Sequence, residues 1–282
     1  MIKFGPSGNS QSFYDSGYTS SEDSAKYVKL KGLDAFEYSF GRGVNMGESK
    51  ALSIGNAFKE NGIELSVHAP YYINFANIDD EAAAKSINYL LQSAKCLELM
   101  GGTRCVFHSA SQGKQTRKEA FELTVERIKK YTDFIYMNNL EHIMFCPETM
   151  GKLGQIGTVE EITEICKIDK IYTPAIDFGH INAREQGSLK TAEDYRKRLL
   201  FMISELSYER MKHFHIHFSK IEYSAKGEVR HLTFEDDKYG PEFEPLAVCL
   251  KELKLEPVII CESAGTQAED AIKMKQIYNI ID

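Results

Sequence analysis

The sequence predicts a closed α/β barrel of the (β/α)8 kind, and three observations carry the prediction. Strand-like apolar runs alternate with helix-period stretches along all 282 residues. The length suits one large barrel, typically about 250 residues, or two ordinary domains, but no Pro-, Gly- or Ser-rich linker divides the chain, so one domain over 1–282 is expected. Metal-type side chains stand at the ends of six runs, and a closed parallel barrel opens the carboxyl end of every strand on one face. The expected architecture is therefore a single TIM barrel with a metal site at that face.

Taken in order, strands are predicted over 2–7 (IKFGPS), 35–40 (AFEYSF), 65–70 (LSVHAP), 105–110 (CVFHSA), 143–149 (IMFCPET), 173–178 (TPAIDF), 213–219 (HFHIHFS) and 257–263 (PVIICES). Each is short and apolar, as a buried parallel strand requires. Between and after them, SSEDSAKYVKLKG, GESKALSIGNAFKENG, DEAAAKSINYLLQSAKCLELMG, QTRKEAFELTVERIKKYTDFIYMNN, TVEEITEICK, KTAEDYRKRLLFMISEL, FEPLAVCLKELK and TQAEDAIKMKQIYNIID carry apolar residues at i, i+3, i+4 spacing. Ser20 and Ser21 before an acidic pair, and Thr158 before Glu160 and Glu161, read as helix caps, while Gly62 and Gly101 read as helix ends. A doubly wound open sheet is the alternative. It would feed one crevice from a few strands, whereas six successive strands here carry candidate ligands. The long segment from Lys220 to about Pro241 reads as a functional loop, because it carries His231.

Composition sets limits. Charged residues make up 27% and hydrophobic ones 43%, ordinary for a soluble domain. No run approaches the roughly 18 apolar residues of a membrane span, so no membrane partner is expected. The start, MIKFGPSG, reads as a strand and turn rather than a secretion signal. Six cysteines form no CxxC pair and lie mostly in apolar runs, which points to reduced thiols and a cytoplasmic setting. The net charge of −7 disfavours nucleic acid when taken alone, but three bound divalent ions would bring it close to neutral. Arg42, Lys114, Arg117, Lys118, Lys152, Arg184, Lys220, Lys226 and Arg230 lie in or beside the loops after strands; they read equally as a basic rim or as scattered surface charge.

The strand-end series is His68, His108, Glu148, Asp177 with His180, His215 and Glu262. One such histidine is more often a hydrogen-bonded structural residue than a ligand. Packing alone gives no reason to place so many costly polar groups at one mouth, so the joint pattern points to a multinuclear metal hydrolase. Asp177 and His180, three apart, can face one cavity and reach different ions. His213, His215 and His217 share one strand face, and His215 is taken as the ligand, with His213 deeper and His217 toward the loop. His142 falls at the opposite end and reads as structural.

These residues resemble endonuclease IV, the zinc-dependent apurinic/apyrimidinic endonuclease family within the xylose isomerase-like barrels. The resemblance runs over nearly the whole chain: His68, Tyr71, Ile73 and Asn74; His108 with Ser109; Glu148 in PETMGKLGQIG; Asp177 and His180; His215; Arg230 and His231; and Glu262. It implies a first ion on His68, His108 and Glu148, a second on Glu148, Asp177, His215 and Glu262, and a third on His180 and His231 with an acidic partner. The family places an Asp two residues before the loop histidine, where this chain has Val229; Glu228, one residue further away, is the candidate replacement. The implied cofactor is zinc, up to three ions, with manganese or another divalent ion acceptable at one site. The implied activity is hydrolysis of the phosphodiester 5′ to an abasic site in duplex DNA, by a monomer, with Glu148, Glu262 and Asp177 carrying catalysis. Tyr71 and Arg42 would enter the damaged duplex, although Tyr71 equally reads as a rim aromatic.

The rival reading is a sugar isomerase or epimerase of the same superfamily, whose single manganese or magnesium site resembles Glu148, Asp177, His215 and Glu262. His68, His108 and His231 discriminate against it, since an epimerase has no need of further ions. A third reading is a metal-stabilised barrel that binds without turnover.

Overall fold

The computed structural model describes residues 1–281. Eight parallel strands line the barrel: β1 (Lys3–Pro6), β2 (Ala35–Ser39), β3 (Glu64–His68), β4 (Arg104–Phe107), β5 (Met144–Pro147), β6 (Ala175–Asp177), β7 (His215–Phe218) and β8 (Val258–Cys261). They pair as two four-stranded halves, β2–β3–β4–β5 and β6–β7–β8–β1. Bridges close the ring at both seams, Ser7 with Glu37 at one and Glu148 with Ala175 at the other. The first seam depends on Gly5, where a Cβ would come within 1.8 Å of the Ala35 carbonyl oxygen.

A helix of nine or more residues follows each strand: Ser21–Leu30, Glu48–Asn61, Asp80–Leu99, Arg117–Met137, Val159–Lys167, Ala192–Leu206, Glu244–Glu252 and Gln267–Ile280. The predicted caps form. Ser20 and Thr158 make reciprocal capping boxes with Asp23 and Glu161, and Gly62 ends its helix at φ +66°.

Strand residues alternate between two environments. Outward-facing Phe36, Val67, Phe107, Phe145, Ile176, Ile216 and Ile259 pack with helix residues such as Val28, Phe58, Leu90, Ile128, Ile162, Leu199 and Leu246 in the main core. Each such side chain contributes about 1.5–3 kcal/mol on burial. Small separate clusters, Ala35 with Val258 and Ile260, and Val106 with Cys146 and Ala175, fill the barrel interior. The carboxyl end of that interior is left to polar side chains.

Two features depart from the expected loops. The segment after β7 folds as an antiparallel hairpin, Ile221–Ser224 with Gly227–His231, and Ala110–Ser111 pairs with Gln155–Ile156. No helix among the described residues is long and apolar enough to cross a membrane.

Candidate metal centre

The inward positions at the carboxyl ends of the strands bring the metal-type residues together. His68 and Asp177 are the last residues of β3 and β6, while His108, Glu148 and Glu262 follow at or just beyond the ends of β4, β5 and β8. They form adjoining groups with ligand atoms within 4.8 Å of one another: His68, His108 and Glu148; Glu148, Asp177, His217 and Glu262; His180, Glu228 and His231. A further group, Glu37, His215 and His217, contains only fully buried residues.

Glu148 joins the first two groups by dividing its carboxylate. Oε2 lies 3.1 Å from His68 Nε2 and 3.2 Å from His108 Nε2. Oε1 lies 3.0 Å from His217 Nδ1 and 3.4 Å from His180 Nδ1. That disposition suits a carboxylate bridging two cations. Asp177 also has two tasks. Its Oδ1 accepts the His180 backbone N–H at 2.7 Å and caps the helix Phe178–Arg184, which accounts for the three-residue spacing. Its Oδ2 is fully buried, lies 3.4 Å from His180 Nδ1 and has no hydrogen-bond partner among the described residues.

Three histidines are aimed by oxygens behind them. Nδ1 of His68 lies 2.8 Å from the Ala69 carbonyl, Nδ1 of His180 lies 3.0 Å from the Thr149 carbonyl, and Nδ1 of His231 lies 2.8 Å from Ser219 Oγ. With the proton on Nδ1, each ring presents an unprotonated Nε2 to the cavity, as metal-ligating histidines do.

The third group answers the question raised by Val229. The hairpin register shifts between Glu222 and Tyr223: Glu222 pairs with Arg230 and Tyr223 with Glu228, so Val229 is the extra residue of a β-bulge. The bulge turns Glu228 onto the face of His231, where an unbulged strand would place residue 229. Glu228 Oε2 then lies 3.4 Å from His180 Nε2, and Val229 is half exposed. The hairpin is docked by Glu228 N–H donating to the Gly151 carbonyl at 3.1 Å.

One site assignment needs correction. His215 does not stand at the mouth; it lies two residues deeper, paired in register with Ala175, while His217 pairs with Asp177 at the strand ends. His217 therefore takes the position expected of His215. His215 Nε2 instead lies 3.1 Å from Glu37 Oε2, and His217 Nε2 lies 2.8 Å from Glu37 Oε1, both at angles short of a hydrogen bond. Glu37 was not anticipated. Its signal is a carboxylate between Phe36 and Tyr38 in an otherwise apolar strand.

Burial would raise the pKa of every acid here, and neighbouring charge decides the outcome. His217 and the adjoining histidines hold Glu37 and Glu148 well below the usual carboxylate range, and His217 and His231 hold Glu262 down. Asp177 goes the other way. Burial pushes it up to about 6 against His180, with Glu262 and Glu148 adding to the rise.

The mouth is a cavity of about 330 Å³ lined by His68, Tyr71, His108, Glu148, Met150, Lys152, Gln155, His180, Glu228, His231 and Glu262. A larger hollow, about 620 Å³, lies near Glu64 and Arg104 and holds none of these groups. Tyr71 is 57% exposed, with its ring 5.3 Å from that of His68 and 5.5 Å from that of His108. Arg42 is exposed in the neighbouring loop and does not line the cavity, although Tyr71 N–H donates to the Gly41 carbonyl. Much of the supposed basic rim is engaged elsewhere. Arg117 pairs with Glu161, Lys220 with Glu242 and Arg230 with Glu222, while Arg184 binds carbonyls of the 150–155 loop. Lys152 is the lysine that lines the mouth. His142, half exposed, pairs with Glu98.

Comparison with known proteins agrees with this architecture. A family model described as xylose isomerase-like TIM barrel matches residues 25–277. An uncharacterized protein of Methanocaldococcus jannaschii is 32% identical over 265 residues, 92% of this chain and 93% of that protein. A probable endonuclease 4 of Ureaplasma parvum is 25% identical over 173 residues, 58% of this chain and 55% of that protein. Among solved structures, a D-tagatose 3-epimerase-like protein superposes with TM-score 0.72 at 18% identity, covering 99% of this chain and 96% of its own. Endonuclease IV from Thermus thermophilus superposes with TM-score 0.66 at 15% identity, covering 98% and 97%. At those identities the structural likeness speaks for the fold.

Proposed function

The chain belongs to the xylose isomerase-like TIM barrel family, and from that premise we propose that it is a zinc-dependent endonuclease that hydrolyses duplex DNA 5′ to an abasic site. The observation that carries the proposal is the divided carboxylate of Glu148 beside a separate His180–Glu228–His231 group. Epimerisation needs one cation; three adjoining ligand groups suit a phosphoryl centre. The donor set fits the ions. It consists of imidazole and carboxylate, and the buried Asp177 Oδ2, 3.4 Å from His180 Nδ1, makes no hydrogen bond among the described residues.

His68, His108 and Glu148 would hold one ion, Glu148, Asp177, His217 and Glu262 a second, and His180, Glu228 and His231 a third. Such ions would lower the pKa of water to about 7 and neutralise charge on a phosphoryl group. The chain's own residues supply the rest. Glu148 sets the first two groups side by side, Lys152 offers the mouth a positive charge for a phosphate, and the exposed face of Tyr71 can pack against a sugar that has no base to unstack. Six free, buried cysteines support a reducing, cytoplasmic setting, and a monomer is the expected state.

The second reading, a sugar epimerase, is favoured by the Glu148–Asp177–His217–Glu262 group, which could serve a single-ion reaction alone. The test is cleavage of a duplex carrying one tetrahydrofuran abasic analogue by zinc-loaded protein. Incision 5′ to the lesion that leaves a 3′-hydroxyl, and that is lost in Glu262→Gln, is expected. No incision by protein carrying its metal would transfer the assignment to the epimerase, with His68, His108 and His231 serving substrate hydroxyls.

A further inference from the structure

We infer that Glu37 is a positioning residue that selects which nitrogen of His217 faces the metal centre, an inference that rests on the metal-centre reading above. His68 and His231 direct Nε2 inward with an oxygen behind Nδ1, and His180 has the Thr149 carbonyl behind Nδ1 while that nitrogen also lies 3.4 Å from Glu148 Oε1 and Asp177 Oδ2. His217 is reversed. Its Nδ1 lies 3.0 Å from Glu148 Oε1 and 3.6 Å from Glu262 Oε2, and its Nε2 lies 2.8 Å from Glu37 Oε1. Glu37 Oε1 and His217 Nε2 are both fully buried and, among the described residues, neither makes a hydrogen bond at the present angle; the 2.8 Å ion-pair contact is what each has facing it.

A neutral imidazole carries one proton, and an ionised carboxylate can only accept. Glu37 therefore draws that proton to Nε2 and leaves the Nδ1 lone pair toward Glu148, Asp177 and Glu262. The carboxylate is itself located, because Ser66 Oγ donates to Oε2 at 2.9 Å and His215 Nε2 stands 3.1 Å from the same oxygen. On this reading His215, buried one layer down, supports Glu37 and ligates nothing.

The test compares zinc affinity, by competition with a chromophoric chelator, in the wild type, Glu37→Gln and Glu37→Leu. Glu37→Leu is expected to weaken zinc binding about 10–100-fold. Glu37→Gln is close in shape, so it should fold, and its amide oxygen retains an acceptor facing Nε2; it should bind more weakly than the wild type but better than Glu37→Leu. Nitrogen-15 NMR of the zinc-loaded wild type should show His217 ligating through Nδ1 and protonated at Nε2. Wild-type affinity in both variants, ligation through Nε2, or an ion seated between Glu37 and His217 would overturn the inference while leaving the metal centre standing. A wild type that takes up no zinc would remove the metal centre itself, and this inference with it.

Discussion

Gly151 lies directly against Glu228: a Cβ at position 151 would come 2.7 Å from Glu228 Cβ, 2.9 Å from its Oε2 and 3.0 Å from His180 Cδ2. Glycine is thus what allows the loop after β5 to touch two members of the third ligand group at once. Gly151→Ala is expected to displace Glu228 and lower zinc content by about one equivalent per chain, at a stability cost of about 1–3 kcal/mol. Elemental analysis after gel filtration reads the first effect and chemical denaturation the second. Full zinc content in the variant would show that Glu228 is not held by this contact.

The bulge at Val229 makes a second expectation. Deleting Val229 restores a two-residue spacing between the glutamate and His231 in an unbulged strand, which again puts both on one face. The deletion variant should keep the third cation, whereas Glu228→Ala should lose it. Loss in both would mean that the bulge does more than rotate Glu228 into place.

His217 and His215 are separated by one layer of the barrel, and their variants should separate too. His217→Ala removes a group 3.0 Å from Glu148 and should cost one cation and roughly 100-fold or more in turnover. His215→Ala should keep the cation content, with affinity reduced about 10-fold at most. The reverse ranking would return the ligand role to His215.

Away from the centre, Glu64 accepts from Lys3 Nζ at 2.6 Å and from Arg104 Nε at 3.0 Å. Burial works to raise its pKa, but Lys3 and Arg104 prevail and hold it below the ordinary 4.5. A folded pKa below the unfolded one means stabilisation that is complete above about 4.5 and fades as pH falls through the folded value. Glu64→Gln should therefore destabilise by about 1–3 kcal/mol at pH 7. The gap to wild type should close in acid, when both are unfolded by urea with chelator present. A pH-independent gap would assign the effect to packing.

The barrel was legible because its signals are local: eight short apolar runs, a helix-period stretch after each, and polar groups at the run ends. His68, His108, Glu148, Asp177, His180 and Glu262 became candidates by the same rule, as polar groups at the run ends, while His231 came from the long loop after β7 and from the family resemblance. His215 was preferred because His217 was placed beyond the strand toward the loop, whereas the strand runs on through His217 to Phe218. The hairpin was missed because IEYS and GEVRH are short, polar and solvent-facing, so no apolar alternation marks them. Glu228 stayed undecided because a bulge reverses the parity of a strand, and no single residue type announces a bulge. Glu37 was overlooked because its partners His215 and His217 lie far along the chain, and only barrel closure brings them together.

Glu148 occupies one seam of the ring, where its backbone bridges to Ala175, while its side chain touches histidines from both halves of the barrel. A cation held between Glu148 and Asp177 is therefore a clasp across that seam. Opening the ring there would dismantle the centre, and filling the centre would resist the opening. With such a cation bound, metal occupancy and barrel closure would be one equilibrium, so added zinc should slow amide exchange in β5 and β6, and chelation should restore it.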